Sequence, residues 1–94
     1  MENELVITVN IGGRSYKLRV AREEEGRIRK AVNDIERYTR EYGKTYAYRD
    51  IQDLLAMVAL QQTTAALKLE EATDYRENEL QTKLKEIEEL LSDA

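Results

Sequence analysis

The stretch VNIGGRSYKL, residues 9–18, decides how the rest of the chain is read. Two runs of alternating apolar and polar residues flank a Gly12-Gly13 pair. Before it, Leu5, Ile7, Val9 and Ile11 recur at every second position; after it, Tyr16, Leu18 and Val20 do the same around Lys17 and Arg19. Period two with one apolar face is the pattern of a half-buried strand, and glycines supply the positive φ angles of a tight hairpin turn. Odd positions point inward on the first run and even positions on the second, so facing residues must have an odd sum. A two-residue turn at Gly12-Gly13 pairs Val9 with Tyr16, whereas a turn at Gly13-Arg14, or a four-residue loop, pairs Ile11 with Tyr16. All of these keep the apolar side chains together. The pattern predicts a hairpin and leaves its register open.

A lone hairpin is marginal in water, so the segment that follows must cover it. From Glu23 to Tyr42 the residues Ile28, Ala31, Val32, Ile35, Tyr38 and Tyr42 recur at helical spacing. Glu23, Glu24 and Glu25 place acids in the first turn, where the helix dipole favours them. Glu23–Arg27, Glu25–Arg29 and Glu36–Arg40 have the favourable i,i+4 order, and Gly43 is the expected C-terminal stop. KTYAYR, residues 44–49, reads as a short connection, after which no breaker occurs from Arg49 to Leu91. At about 1.5 Å per residue that is a rod on the order of 65 Å. Its first half is dense in apolar residues (Ile51, Leu54, Leu55, Met57, Val58 and Leu60, then Ala65 to Leu69) and is expected to be buried on several sides. Its last part carries a narrow seam, Leu80, Leu84, Ile87 and Leu91, spaced 4, 3 and 4 as in a coiled coil. Extended backwards, that seam meets Glu77, Thr73 and Glu70, so the heptad slips between Leu69 and Leu80. The predicted fold is α+β and mostly helical: an N-terminal β-hairpin plus helix head, then one long helix ending in a coiled coil. The head with the start of the long helix spans residues 1–60, and the stalk spans residues 61–94.

Charged residues make up 36% of the chain, and there is no Trp, Phe, Pro, Cys or His. A helical chain this polar is expected to need partner chains to bury enough apolar surface. Without Cys there is no disulfide framework or thiolate site, and without His the commonest general base and metal ligand is missing. No enzyme activity and no cofactor are expected. No apolar run approaches the ~20 residues that span a bilayer, and acids stand where a signal peptide would carry basic residues, so a cytoplasmic protein without membrane attachment is expected. The net charge of −4 divides into +2 over residues 1–50 and −6 over residues 51–94. An acidic stalk argues against nucleic acid as a partner and is compatible with a basic head on an acidic protein surface.

IGGRS resembles part of a phosphate-cradling loop, but its glycines lead into a strand rather than a helix, which is the context of a hairpin turn. The turn presents Arg14 to solvent as a candidate contact residue. The acid runs at 23–25, 70–71 and 88–89 lack calcium-loop spacing and read as solvated helix faces. Tyr38, Tyr42, Tyr46 and Tyr48 interleave with basic residues in the manner of a base-stacking surface; the expected role of the rings is instead to pack the end of the head. Lys44, Arg49 and Asp50 at the same turn are further candidates for a protein-binding surface. QQTTAA, residues 61–66, interrupts the apolar stripe with small and polar side chains that permit close helix approach and fix register, which points to a subunit interface rather than a ligand cavity. The interface candidates are Leu54, Leu55, Val58, Gln62, Ala65 and Leu69, then Leu80, Leu84, Ile87 and Leu91.

Taken in order, the strand with IGGRSYKL, the first-helix segment EEEGRIRKAVNDI and the second-helix opening DIQDLLAMVALQQTTAALKLEE resemble the ZapA family of bacterial cell-division proteins. The resemblance runs from about residue 4 to residue 92, and its most telling pieces are the turn and the LLAMVALQ run, Leu54 to Gln61. It implies a non-enzymatic partner of FtsZ, the tubulin-like division GTPase, acting at the mid-cell division ring. It further implies dimers formed through the head and the first part of the long helix, joined into tetramers through antiparallel stalks, that crosslink FtsZ protofilaments into bundles. The family's FtsZ-facing arginine after the hairpin glycine corresponds to Arg14, and its other contacting charges to Lys44, Arg49 and Asp50. The rival expectation is a coiled-coil dimerisation adaptor whose client is not FtsZ.

Overall fold

The computed structural model describes residues 3–92. Strands β1 (Glu4–Ile11) and β2 (Arg14–Ala21) form a two-stranded antiparallel sheet. A 3-10 turn at Arg22–Glu24 leads into helix α1 (Glu25–Thr45), and helix α2 runs from Ile51 to Ser92. The architecture is therefore the predicted hairpin, helix and long helix. No helix among the described residues is long and apolar enough to cross a membrane.

The register that the alternation left open is settled by the turn. Ile11 pairs with Arg14 and Val9 with Tyr16, so Gly12 and Gly13 are the two central residues, at φ of 63° and 82°. Positive φ at both positions is the type I′ geometry, whose twist matches that of the flanking strands. The Arg22 N–H donates to the Asn3 carbonyl at 2.7 Å and ties the end of β2 back to the start of β1.

The apolar face of the hairpin is covered as the phase requires. Ile7, Val9 and Val20 are buried, and Leu5, Ile11, Leu18 and the α1 residues Ile28 and Val32 pack around them. At the turn, the start of α2 comes close: a Cβ on Gly12 would stand 2.8 Å from Leu55 Cδ1 and 3.6 Å from Ile51 Cγ1. One helix turn on, Leu54 and Val58 are the buried residues of α2.

Three local expectations are corrected. Gly43 does not end α1, which continues to Thr45 and closes with the Tyr46 N–H on the Tyr42 carbonyl at 2.9 Å. Its bare Cα instead faces Leu54 and Tyr48, with room for a Cβ only at van der Waals contact, 3.5 and 3.7 Å. Glu23 does not pair with Arg27; the guanidinium takes Glu24, three residues back, at 3.1 Å. Arg29 does pair with Glu25, at 2.9 Å, whereas Glu36–Arg40 is not among the ion pairs of the described residues.

The chain divides into two compact units, one through Leu60 and one from Gln61 onward. In the second, every described residue is exposed, Leu69, Leu80, Leu84, Ile87 and Leu91 included. The dense first half of α2 was expected to be covered on several sides, yet within one chain only Leu54 and Val58 are buried. The hairpin and α1 are too small to cover more.

The glycine geometry predicts unequal substitutions. Gly12→Ala and Gly13→Ala both meet the left-handed penalty of about 1–2 kcal/mol, but only Gly12→Ala must also displace Leu55, since nothing lies within 4 Å of Gly13. Thermal unfolding followed by circular dichroism should rank Gly12→Ala below Gly13→Ala and both below the parent; equal melting temperatures would refute the close approach at Gly12.

Candidate protein-binding site

The concave surface of the head lies between the hairpin turn and α1. A groove of about 400 Å³ is lined by the Asn10–Gly13 segment, by Val32, Ile35, Glu36, Thr39 and Arg40 of α1, and by Ile51. A second hollow of about 370 Å³ shares Thr39, Arg40 and Ile51 and continues past Gly43 to Lys44, Tyr48 and Leu54. Arg40 and Lys44 are one helical turn apart, so both edge this surface, and neither forms an ion pair among the described residues. The surface combines the apolar side chains of Ile11, Val32, Ile35 and Ile51 with one acid, Glu36, and two cations, Arg40 and Lys44. In the sequence, Arg40 is one of the basic residues interleaved with the tyrosines and stands one helical turn before Lys44, which is the signal that places the two together.

The four expected contact residues fall into distinct settings. Arg14 is exposed at the start of β2 and follows Gly13, which lines the groove. Directly paired residues project from one face of a sheet, so Arg14 shares the face of Ile11 and of Tyr16, which is 44% exposed. Lys44 edges the second hollow. Arg49 is exposed, and its backbone N–H donates to Asp53 Oδ2 at 2.9 Å.

Asp50 has a structural task. Its Oδ1 accepts the N–H groups of Gln52 at 3.0 Å and Asp53 at 3.4 Å, which makes it the N-cap of α2. With Asp53 reaching back to Arg49, the two carboxylates satisfy donors on both sides of the helix start, in the manner of a capping box. The Asp-x-x-Asp spacing carried this signal in the sequence.

The tyrosines form a ladder along α1. Tyr38 and Tyr42 stack with ring centroids 6.4 Å apart, Tyr42 and Tyr46 meet at 5.9 Å, and the Arg37 guanidinium lies 4.8 Å over the Tyr38 ring. These contacts rigidify the end of the head. The expected interface residues fall in two groups: Leu54 and Val58 are buried within the head and Leu55 is half-buried, while Gln62, Ala65, Leu69, Leu80, Leu84, Ile87 and Leu91 are exposed.

A family model described as cell division protein ZapA matches residues 7–91, nearly the whole chain. No curated protein and no solved structure matches it. The chain belongs to the ZapA family of cell-division proteins.

The cap predicts a split between two Asp50 substitutions. Asp50→Asn keeps a good N-cap acceptor and should retain the parent's melting temperature. Asp50→Ala should lose about 1 kcal/mol, a fall of roughly 4–8 °C for a domain of this size. Equal melting curves for the two variants would remove the capping role.

Proposed function

We propose that this ZapA-family protein binds FtsZ protofilaments through its head and crosslinks them through self-association, acting in the cytoplasm at the mid-cell division ring and stabilising it. The family match over residues 7–91 carries this reading. In support, the groove between the turn and α1 is edged by Arg40 and the hollow that continues it by Lys44, cations with no ion pair among the described residues, and Arg14 adjoins the groove. Arg14, Lys44 and Arg49 are the proposed FtsZ contacts, and Asp50 contributes by fixing the turn that carries Arg49.

Crosslinking needs more than one head per particle. Leu80, Leu84, Ile87 and Leu91 are each more than half exposed in the single chain, and burying such a side chain gains on the order of 1 kcal/mol or more. That is a strong drive to associate. Dimers formed through the heads and joined by antiparallel stalks would carry several heads, and weak contacts at each would gain by avidity on a bundle. Electrostatic contacts at an exposed rim weaken with salt.

Co-sedimentation with GTP-polymerised FtsZ at low and moderate salt tests the proposal. The protein should pellet only with polymer, less at moderate salt, and the filaments should appear bundled. Arg14→Glu should fold and associate normally while losing bundling; unchanged bundling would remove Arg14 from the contact surface. A folded oligomer that stays in the supernatant at both salts would leave an adaptor for a different client.

A further inference from the structure

The two strands of the hairpin share one apolar face, but the cover over it is uneven. Val9 is 4% exposed, whereas Tyr16, its direct partner across the ladder, is 44% exposed. Ile7 is buried and its partner Leu18 is only half-buried. Ile28 and Val32 of α1 thus close over β1 and leave the margin of β2 from Arg14 to Leu18 open. The register fixes what that margin offers. Ile11 and Arg14 flank a two-residue turn and are a hydrogen-bonded pair, and bonded and non-bonded pairs alternate from there. Val9–Tyr16 and Ile7–Leu18 therefore exchange ladder bonds, while the N–H and C=O groups of Ser15, Lys17 and Arg19 point away from β1. The sheet has two strands, so β2 has no neighbour on that side. No other backbone hydrogen bond among the described residues reaches these three, and all three are exposed.

A bare edge is a template for another strand, and its side chains decide which. β2 carries Arg14, Lys17 and Arg19 and no acid. Lys17 forms no ion pair among the described residues, and Arg19 reaches Glu4 only at 3.8 Å, between two exposed side chains, a contact worth little. These cations guard the edge against the β2 of a second copy, which would bring Lys17 and Arg19 against like charges. The edge of β1 in a second copy offers one acid, Glu4. An acidic strand meets no such barrier. Lys17 and Arg19 stand on the solvent face of the sheet, and Tyr16 and Leu18 on its apolar face. A strand in which acidic and apolar residues alternate would therefore set carboxylates beside Lys17 and Arg19, while its apolar residues extend the cover over Tyr16 and Leu18.

We propose that β2 is a docking edge for an extended segment of another protein in which acidic and apolar residues alternate, added as a third strand beside Ser15, Lys17 and Arg19. Main-chain bonds supply the affinity and the two faces of the added strand supply the specificity. This edge shares no residue with the groove between the turn and α1, and the proposal stands or falls independently of filament binding.

Amide hydrogen exchange on the free protein should show Lys17 and Arg19 exchanging quickly beside slow Tyr16 and Leu18. A fluorescent, end-capped peptide alternating valine and glutamate should bind the full chain by anisotropy, less at higher salt, and should slow exchange at Lys17 and Arg19. The same peptide with lysine in place of glutamate should not bind. Proline separates the edge from the ladder, because at position 17 or 19 it removes only a donor that points to solvent. Lys17→Pro should keep the parent's circular dichroism spectrum and lose the peptide, with Arg19→Pro as the second such variant. Lys17→Gln retains the donor and should weaken binding by only a few fold. No binding of the valine–glutamate peptide to the parent, or equal binding of the lysine peptide, would overturn the proposal. Binding by folded proline variants as tight as by Lys17→Gln would remove strand addition. Slow exchange at Lys17 and Arg19 that speeds up on dilution of the free protein would assign the edge to a second copy and overturn the proposal as well.

Discussion

Two strands bury too little apolar surface to stand alone in water, so the inward face of β1 and β2 has to be covered, and the head is organised around that cover. Ile28 and Val32 of α1 close over Ile7, Val9 and Val20. The start of α2 closes over the turn, where Gly12 leaves room for Leu55. That approach fixes where α2 begins relative to the hairpin, and the Asp50 cap fixes how it begins. The groove is a by-product of the same packing: three elements meet at the turn without filling the space between them, and Arg40 and Lys44 line its edge.

The elements were legible in the sequence because each follows from a period. Alternation from Leu5 to Val20 revealed the hairpin, and 3.6-residue recurrence revealed both helices. Register was not legible, since three turns satisfy the same phase; only the backbone angles at Gly12 and Gly13 distinguish them. Gly43 misleads because a glycine near a helix end resembles a stop, and its nearness to Leu54 and Tyr48 is set by packing between segments rather than by local sequence. Of the candidate site, the exposed charges Arg14, Lys44 and Arg49 were visible as types, but the groove that relates Arg40 and Lys44 to the turn is three-dimensional. Asp50 was visible as a charge and overlooked as a cap, although its spacing to Asp53 held the signal.

The division of labour between the units follows from burial. Every buried apolar residue lies in the unit that ends at Leu60, and every described residue from Gln61 onward is exposed. The surface there is polar: residues 51–94 carry a balance of −6, which keeps an unpaired helix soluble and discourages contacts with other acidic surfaces. The head, with its net positive charge, has the opposite preference. One short chain thus carries two units of opposite charge balance.

The hairpin turn also constrains how the head can be altered. Gly12 and Gly13 are the two central residues of that turn, both at positive φ, and one residue added between the strands would shift β2 against β1 by a single place and turn its apolar face to the wrong side. The connection between these strands therefore tolerates changes of an even number of residues far better than changes of an odd number.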